Sequence, residues 1–422
     1  MRKPARLRSL FGGAAGNLVE WFDWYIYSAF SLYFAKVFFP DQSQTAQFLA
    51  TSGIFWIGFL MRPIGGWLFG RIGDRHGRRT ALAWSVALMG GGALLVAVTP
   101  GYATIGVAAP VLLMLARIVQ GLSLGGEYGA AATYLSEVAP EGRRGLWSSF
   151  QYVTLYGGQL LALAFLLGLQ ATGIGDESLS RWGWRLAFVV GASLAVAVYL
   201  LRRGIEETPA FAAEHSPERR AGGIAELWRN HRHSVLIAFG LAVGSNVAFY
   251  TYTTYMQKYL VVTSGFAKPL ASQICAIATI VVILLQPVLG ALSDRIGRKP
   301  LLYWFALGGI VGTVPLMTAI GRTHDPLTAF ALIVLGLTIL SGATATNAIV
   351  KAELFPPHVR VLGVGLPYAI SQSLFGGSAE TIALGLKQAG HEGYYFWYVT
   401  AMIGVALIAT IAMREKRTLI TH

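Results

Sequence analysis

Charge is what this 422-residue sequence is short of: Asp, Glu, Lys and Arg together make up 13% of it. A soluble globular domain carries about 25%, so roughly half the usual solvating charge is absent. Cysteine is nearly absent as well. The single Cys275 excludes an internal disulfide framework and a cysteine-rich metal cluster. No G-x-x-x-x-G-K-[ST] loop occurs, so the phosphate cradle of an ATP-driven machine is missing. The histidines fall between the apolar runs or at the ends, and none forms an H-E-x-x-H pair. Nothing else resembles a catalytic constellation. The expectation is a protein that is not an enzyme and holds neither metal nor cofactor.

What is present is apolar: 55% of the residues are hydrophobic and the mean hydropathy is +0.55. A helix needs about 20 such residues in a row to cross a bilayer. Apolar runs of that order lie near 14–37, 49–70, 80–98, 107–134, 146–170 and 184–201, then near 234–260, 270–291, 300–320, 327–350, 361–386 and 394–413. The pattern predicts an all-α polytopic membrane protein embedded in lipid, with twelve transmembrane helices in two six-helix bundles. The basic opening at 2–10 mimics a signal peptide. The run behind it is too long for one and carries Asn17, Glu20 and Asp23, so it reads as a retained first helix.

The net charge of +13 would suggest nucleic acid if the chain were soluble. Its placement argues otherwise. With both termini inside, 24 of the 33 Lys and Arg fall in inner segments, 7 in outer ones, and Arg62 and Arg117 within spans. That bias predicts cytoplasmic termini and no nucleic-acid partner. The longest polar stretch, 202–233, reads as a cytoplasmic linker with room for one surface helix, between an N-terminal bundle (1–201) and a C-terminal bundle (234–422). The halves repeat each other. GRIGDRHGRR (70–79) recurs as LSDRIGRK (292–299), and SEVAPEGRRG (136–145) as AELFPPHVRVLG (352–363). Asp74 to Asp294 is a shift of 220, and Glu137 to Glu353 one of 216. Parallel repeats of this kind place substrate between the halves near mid-membrane.

These paired loops resemble those of the major facilitator superfamily, in which D-R-x-G-R-R/K follows helices 2 and 8. The finer resemblance is to its metabolite:proton symporter family. It is carried by residues 16–40, 58–79, 115–145 and WGWR at 182–185, and covers essentially the whole chain. Stretches 148–163, 249–261 and 375–384 narrow it to carriers of a dicarboxylate, 2-oxoglutarate first. The resemblance implies a monomeric symporter of the bacterial inner membrane that imports a small organic acid with protons by alternating access. Another organic acid (citrate, shikimate, an aromatic acid) or a zwitterionic osmolyte is the alternative cargo. A non-transporting nutrient receptor is the alternative of another class.

Charges inside apolar spans are the most informative positions, because each costs several kcal/mol near the bilayer centre unless it has a partner or a task. Arg62, beside Pro63 and Gly65-Gly66, is the candidate clamp for a substrate carboxylate. A structural ion pair with an acid of helix 1 is the other reading. Helix 1 supplies Asn17, Glu20 and Asp23, and helix 4 supplies Arg117 and Glu127. By resemblance to sugar porters, Asp23 and Arg117 form the proton-coupling pair, with Glu20, Glu127 and Glu380 as further candidates. A permanent salt bridge is the alternative. Asn246, Tyr250, Gln159 and Tyr368 are candidate substrate contacts, with Tyr255, Gln151 and Gln372 as further candidate liners. Tyr255 and Tyr259 read equally as an interfacial belt, and Lys258 as too superficial to bind substrate. The loop sets Asp74 with Arg78, Glu137 with Arg144, Asp294 with Arg298 and Glu353 with Arg360 are expected to latch the cytoplasmic gate rather than touch substrate.

Overall fold

The computed structural model describes residues 3–76, 78–123, 132–133, 135–136, 139–203 and 223–413, with side chains from Asn17 onward except at 70, 73–82 and 201–203. Twelve long helices follow one another: α1 (Lys3–Phe38), α2 (Gln44–His76), α3 (Arg78–Val98), α4 (Ala108–Ser123), α5 (Arg144–Ala171) and α6 (Trp184–Arg203). Then come α7 (Ile224–Tyr250), α8 (Lys268–Ile296), α9 (Lys299–Arg322), α10 (Pro326–Thr344), α11 (Arg360–Ser371) and α12 (Glu392–Ala412). Two of these continue through π turns. α7 passes through Thr251–Tyr255 into Met256–Val262, and α11 through Gln372–Gly376 into Ala379–Gln388. Among the described residues there is no strand. Helices suit this composition because a span in lipid must satisfy every backbone N–H and C=O internally.

Among the described residues eight helices are long and apolar enough to cross a membrane, and α3 and α4 add shorter apolar stretches. α1, which carries Glu20 and Asp23, and the interrupted α11 are not among the eight. The surface confirms the solvent for which the chain is built. Leu94, Leu284, Val288, Val311 and Ile408 are exposed, whereas Asp23, Arg117, Lys258 and Glu380 are buried. That is the reverse of a soluble protein.

The helix pairs α1 on α5, α2 on α4 and α3 on α6 recur as α7 on α11, α8 on α10 and α9 on α12. α5 runs along α8, and α2 along α11. Glycines set the closest approaches, as small residues do in membrane bundles. A Cβ on Gly121 of α4 would enter the carbonyl of Gly58 in α2, and one on Gly290 of α8 would lie 2.7 Å from the Ser149 Cβ of α5.

One boundary moves. The linker expected over 202–233 gives way to helix at Ile224, which bends at His231 (φ −130°, ψ 20°) before continuing as α7. Leu227 is the reason: it is buried with Ala348, Phe355, Val359 and Ala132, so this surface turn is docked rather than free. His231 and His233 therefore lie on helix, not in a loop. Residues 204–222 lie outside the described residues.

Candidate functional site

Arg62 sits inside α2 and is 4% exposed. Its Nη1 donates to Gln372 Oε1 of α11 at 2.7 Å. Gln372 is held in turn by donating from Nε2 to the hydroxyls of Tyr250 and Tyr368, both at 3.0 Å. The guanidinium carbon lies 4.3 Å from the Phe59 ring centroid and 4.4 Å from that of Trp24. Its Nε and Nη2 are buried and have no hydrogen-bond partner among the described residues. An arginine with two unfilled donors, braced by an amide and aromatic faces, is arranged to receive a planar oxyanion. The hydrogen bond shown for it runs to Gln372 of the other half, where the alternative reading had an acid of α1.

Below it the N-terminal charges meet through an amide. Gln120 Nε2 donates to Asp23 Oδ2 at 2.7 Å, and Arg117 Nη1 donates to Gln120 Oε1 at 2.8 Å. Asp23 and Arg117 thus form a bridged pair where a direct one was expected. The physical reason is Trp24, whose ring centroid is 3.9 Å from the Arg117 guanidinium and keeps it by cation–π attraction. Asp23 Oδ1, Arg117 Nε and Arg117 Nη2 have no hydrogen-bond partner among the described residues. Gln120 was not legible as a site residue, although its position three after Arg117 puts it on the same helix face.

The other candidates divide. Tyr250, Tyr368 and Gln372 converge on Arg62 as described. Asn246 donates to Ser371 Oγ at 3.2 Å, one helical turn away along α7. Asn17 donates to Thr154 of α5 at 2.6 Å, and accepts from Trp21. Glu20 is buried on α1. Gln159 is buried with Oε1 unpartnered among the described residues, and lines a cavity with Tyr25, Ser28, Thr253 and Gln257. Glu127 lies outside the described residues.

Two readings are overturned near the C-terminal end of α7. Tyr255 and Tyr259 are fully buried, Tyr259 donating to the Met317 carbonyl at 2.6 Å, so they are not an interfacial belt. Lys258 is not superficial. It is 1% exposed and pairs with Glu380 at 2.6 Å. Counting residues from the helix end missed that α1 and α11 cover this position.

At the opposite end of the bundle, where the basic loops lie, Asp294 caps α5. Its two carboxylate oxygens accept from the Gly145 and Leu146 backbone N–H groups at 2.7 and 2.9 Å, and Oδ1 also accepts from Arg298 at 2.9 Å. Arg298 reaches on to Glu353 at 3.4 Å. Arg360 donates from Nε to the Phe355 carbonyl, and Arg144 is exposed at the start of α5. The side chains of Asp74 and Arg78, and the whole of Glu137, lie outside the described residues.

A helical bundle that turns apolar side chains outward and buries charge between its halves defines a membrane carrier fold. The chain belongs to the Major Facilitator Superfamily, whose model matches residues 13–379. It is 50% identical over 411 residues to the α-ketoglutarate permease of Escherichia coli K12, covering 97% of this chain and 94% of that one. It is 34% identical to the citrate–proton symporter of Salmonella typhi, covering 96% and 93%. It is 32% identical to a proline/betaine transporter of Salmonella typhimurium, covering 97% and 83%. Among solved structures, a D-xylose–proton symporter superposes with a TM-score of 0.76 at 20% identity over 97% of both chains.

Proposed function

We propose that this chain is a proton-coupled symporter that imports a dicarboxylate, 2-oxoglutarate, across the bacterial inner membrane as a monomer with both termini in the cytoplasm. The observation that carries the proposal is Arg62, a buried guanidinium with two unfilled donors facing Gln372, Tyr250 and Tyr368 across the halves. The likeness to the α-ketoglutarate permease and the citrate–proton symporter supports an organic acid as cargo.

Arg62 takes one carboxylate, and the hydroxyls of Tyr250 and Tyr368 turn to the keto and carboxylate oxygens as Gln372 is displaced. Asn17, Asn246 and Gln159 complete the polar lining. Asp23 holds the coupling proton, with Glu20 and Glu127 as further acids of the same half. A proton on Asp23 weakens its hold on Gln120, which releases Arg117 and lets α4 move against α1. Occlusion must favour the loaded carrier differentially, since equal affinity in both states shifts nothing. Coupling to protons offsets an electrical cost: a dianion entering against about 100 mV, inside negative, costs about 4.6 kcal/mol at 2.3 per charge. The sets around Asp74, Glu137, Asp294 and Glu353, with Arg78, Arg144, Arg298 and Arg360, latch the cytoplasmic gate.

The test is uptake of labelled 2-oxoglutarate into proteoliposomes with and without an inward proton gradient, for wild type and Arg62→Ala. Gradient-driven uptake in the wild type that falls at least a hundredfold in the variant is expected. Uptake retained by the variant would return Arg62 to a structural role. The 34% likeness to a citrate–proton symporter keeps citrate as the second cargo, and competition by citrate separates the two. Binding without any proton-linked flux would mark a receptor on the same scaffold.

A further inference from the structure

We infer that Lys258 and Glu380 form a second substrate and proton site, in which Lys258 receives the distal carboxylate of the dicarboxylate as Glu380 takes up a proton. The inference rests on the dicarboxylate reading given above and deepens it. Lys258 Nζ lies 2.6 Å from Glu380 Oε1, and the two side chains are 2% and 3% exposed. A buried ion pair offsets its desolvation only when its remaining polar atoms are bonded too. This one is incompletely bonded. Glu380 Oε2 is buried and has no hydrogen-bond partner among the described residues. The other bonds of Lys258 go to Ser28 of α1, at 3.2 Å to Oγ and 3.4 Å to the carbonyl. The pair therefore joins α7 and α11 to α1, and its free carboxylate oxygen is a place for a proton.

Its position relative to Arg62 is set by the same two helices. Tyr250 and Gln372, which frame Arg62, stand eight residues before Lys258 and Glu380 respectively. At 1.5 Å per residue Lys258 and Glu380 stand about 12 Å further along the bundle than Tyr250 and Gln372, the residues that frame Arg62. A five-carbon dicarboxylate spans about 5 Å between carboxyl carbons at about 1.5 Å per bond, and two flexible basic side chains reach the rest. Beside Ser28 lies a small cavity lined in part by Tyr25, Ser28, Gln159, Thr253, Thr254 and Gln257. Three of those lie on the stretch of α7 between Tyr250 and Lys258, and Ser28 belongs to both the cavity and the ion pair.

The charges then balance. Unloaded, Lys258 and Glu380 neutralise each other. A proton on Oε2 removes the anion, and the distal carboxylate replaces it as the partner of Lys258. The other titratable groups that face Glu380 are Tyr27 of α1 and Tyr395 of α12, both neutral phenols. Each carboxylate of the substrate thus enters with its own proton, and the cycle moves no net charge.

The experiment measures binding of 2-oxoglutarate and of 2-oxopentanoate, which has a methyl group in place of the distal carboxylate. Wild type is compared with Lys258→Gln/Glu380→Gln, which removes both charges together and strands neither. A rise of at least tenfold in the 2-oxoglutarate Kd is expected, with the 2-oxopentanoate Kd changing less than twofold. Unchanged preference in a variant that keeps its Tm overturns the inference and leaves Arg62 untouched. Calorimetry on the wild type alone, in buffers of different ionisation enthalpy, is the second measurement. It should find one more proton taken up with 2-oxoglutarate than with 2-oxopentanoate, and equal proton counts overturn the inference. A wild type that binds 2-oxopentanoate but not 2-oxoglutarate overturns the dicarboxylate reading, and this inference with it.

Discussion

Gln120 joins the two N-terminal charges, because Asp23 accepts a hydrogen bond from it and Arg117 donates one to it. Hydrogen bonds to charged groups are worth about 1.5–3 kcal/mol each, and an ion left buried without one loses that amount in full. Gln120→Leu removes both at once. The expected outcome is a loss of about 3 kcal/mol, seen as a fall in Tm of the detergent-solubilised protein, together with proton-independent leak of substrate. A loss under about 1 kcal/mol would mean that the bridge is slack. Arg62, Asp23 and Arg117 were legible beforehand because a formal charge in an apolar run is costly and therefore conspicuous. Gln120 was not, because an amide disturbs hydropathy little. Lys258 was misplaced for a different reason: it lies four residues from the end of its helix at Val262, and its burial comes from Ser28 and Glu380, far away in sequence.

At the scale of elements, the π turns at Thr251–Tyr255 and Gln372–Gly376 sit at matching places in α7 and α11. Each extra residue rotates the rest of its helix by about 100°, so Lys258 and Glu380 turn inward where an uninterrupted α-helix would aim them elsewhere. A π turn has no compositional mark, and this facing was unreadable from the sequence. Helix starts have local causes. Asp325 caps α10: its carboxylate accepts from the Thr328 hydroxyl at 2.6 Å and from the Thr328 backbone N–H at 2.8 Å. These bonds, the hydroxyl's first, hold the carboxyl below its ordinary value of 3.8. A depressed folded-state value means that the cap is fully formed at neutral pH and is lost as pH falls through that lowered value. Hydrogen exchange at the first turn of α10 should therefore quicken in Asp325→Asn at neutral pH. In the wild type it should quicken relative to neighbouring turns only in strong acid. Equal protection in variant and wild type would show that Pro326 alone sets the helix start.

At the scale of the molecule, the duplication was plain in the paired loop motifs, and the packing repeats it helix for helix. The partner of each motif was not plain, since a loop sequence does not say which helix end it will meet. Asp294 meets the N-terminus of α5, in the other half of the repeat, where two backbone N–H groups and the positive end of the helix dipole converge on it. Asp294→Asn keeps an acceptor oxygen but removes the charge and turns an amide N–H toward other donors. With dipole attraction worth up to about 2 kcal/mol when partly buried, the contact of α5 with α8 should open by one to one and a half orders of magnitude at 1.4 kcal/mol per tenfold. Ser149, packed against Gly290 at that contact, reports the opening. With Ser149→Cys introduced and Cys275→Ser removing the native thiol, a membrane-impermeant maleimide added to inverted vesicles should label Cys-substituted position 149 at least tenfold faster in Asp294→Asn. Uptake should fall in step, because a carrier biased toward one face must climb back to the other in every cycle. An unchanged labelling rate with normal uptake would mean that glycine packing alone closes this end and that the carboxylate is dispensable to the gate.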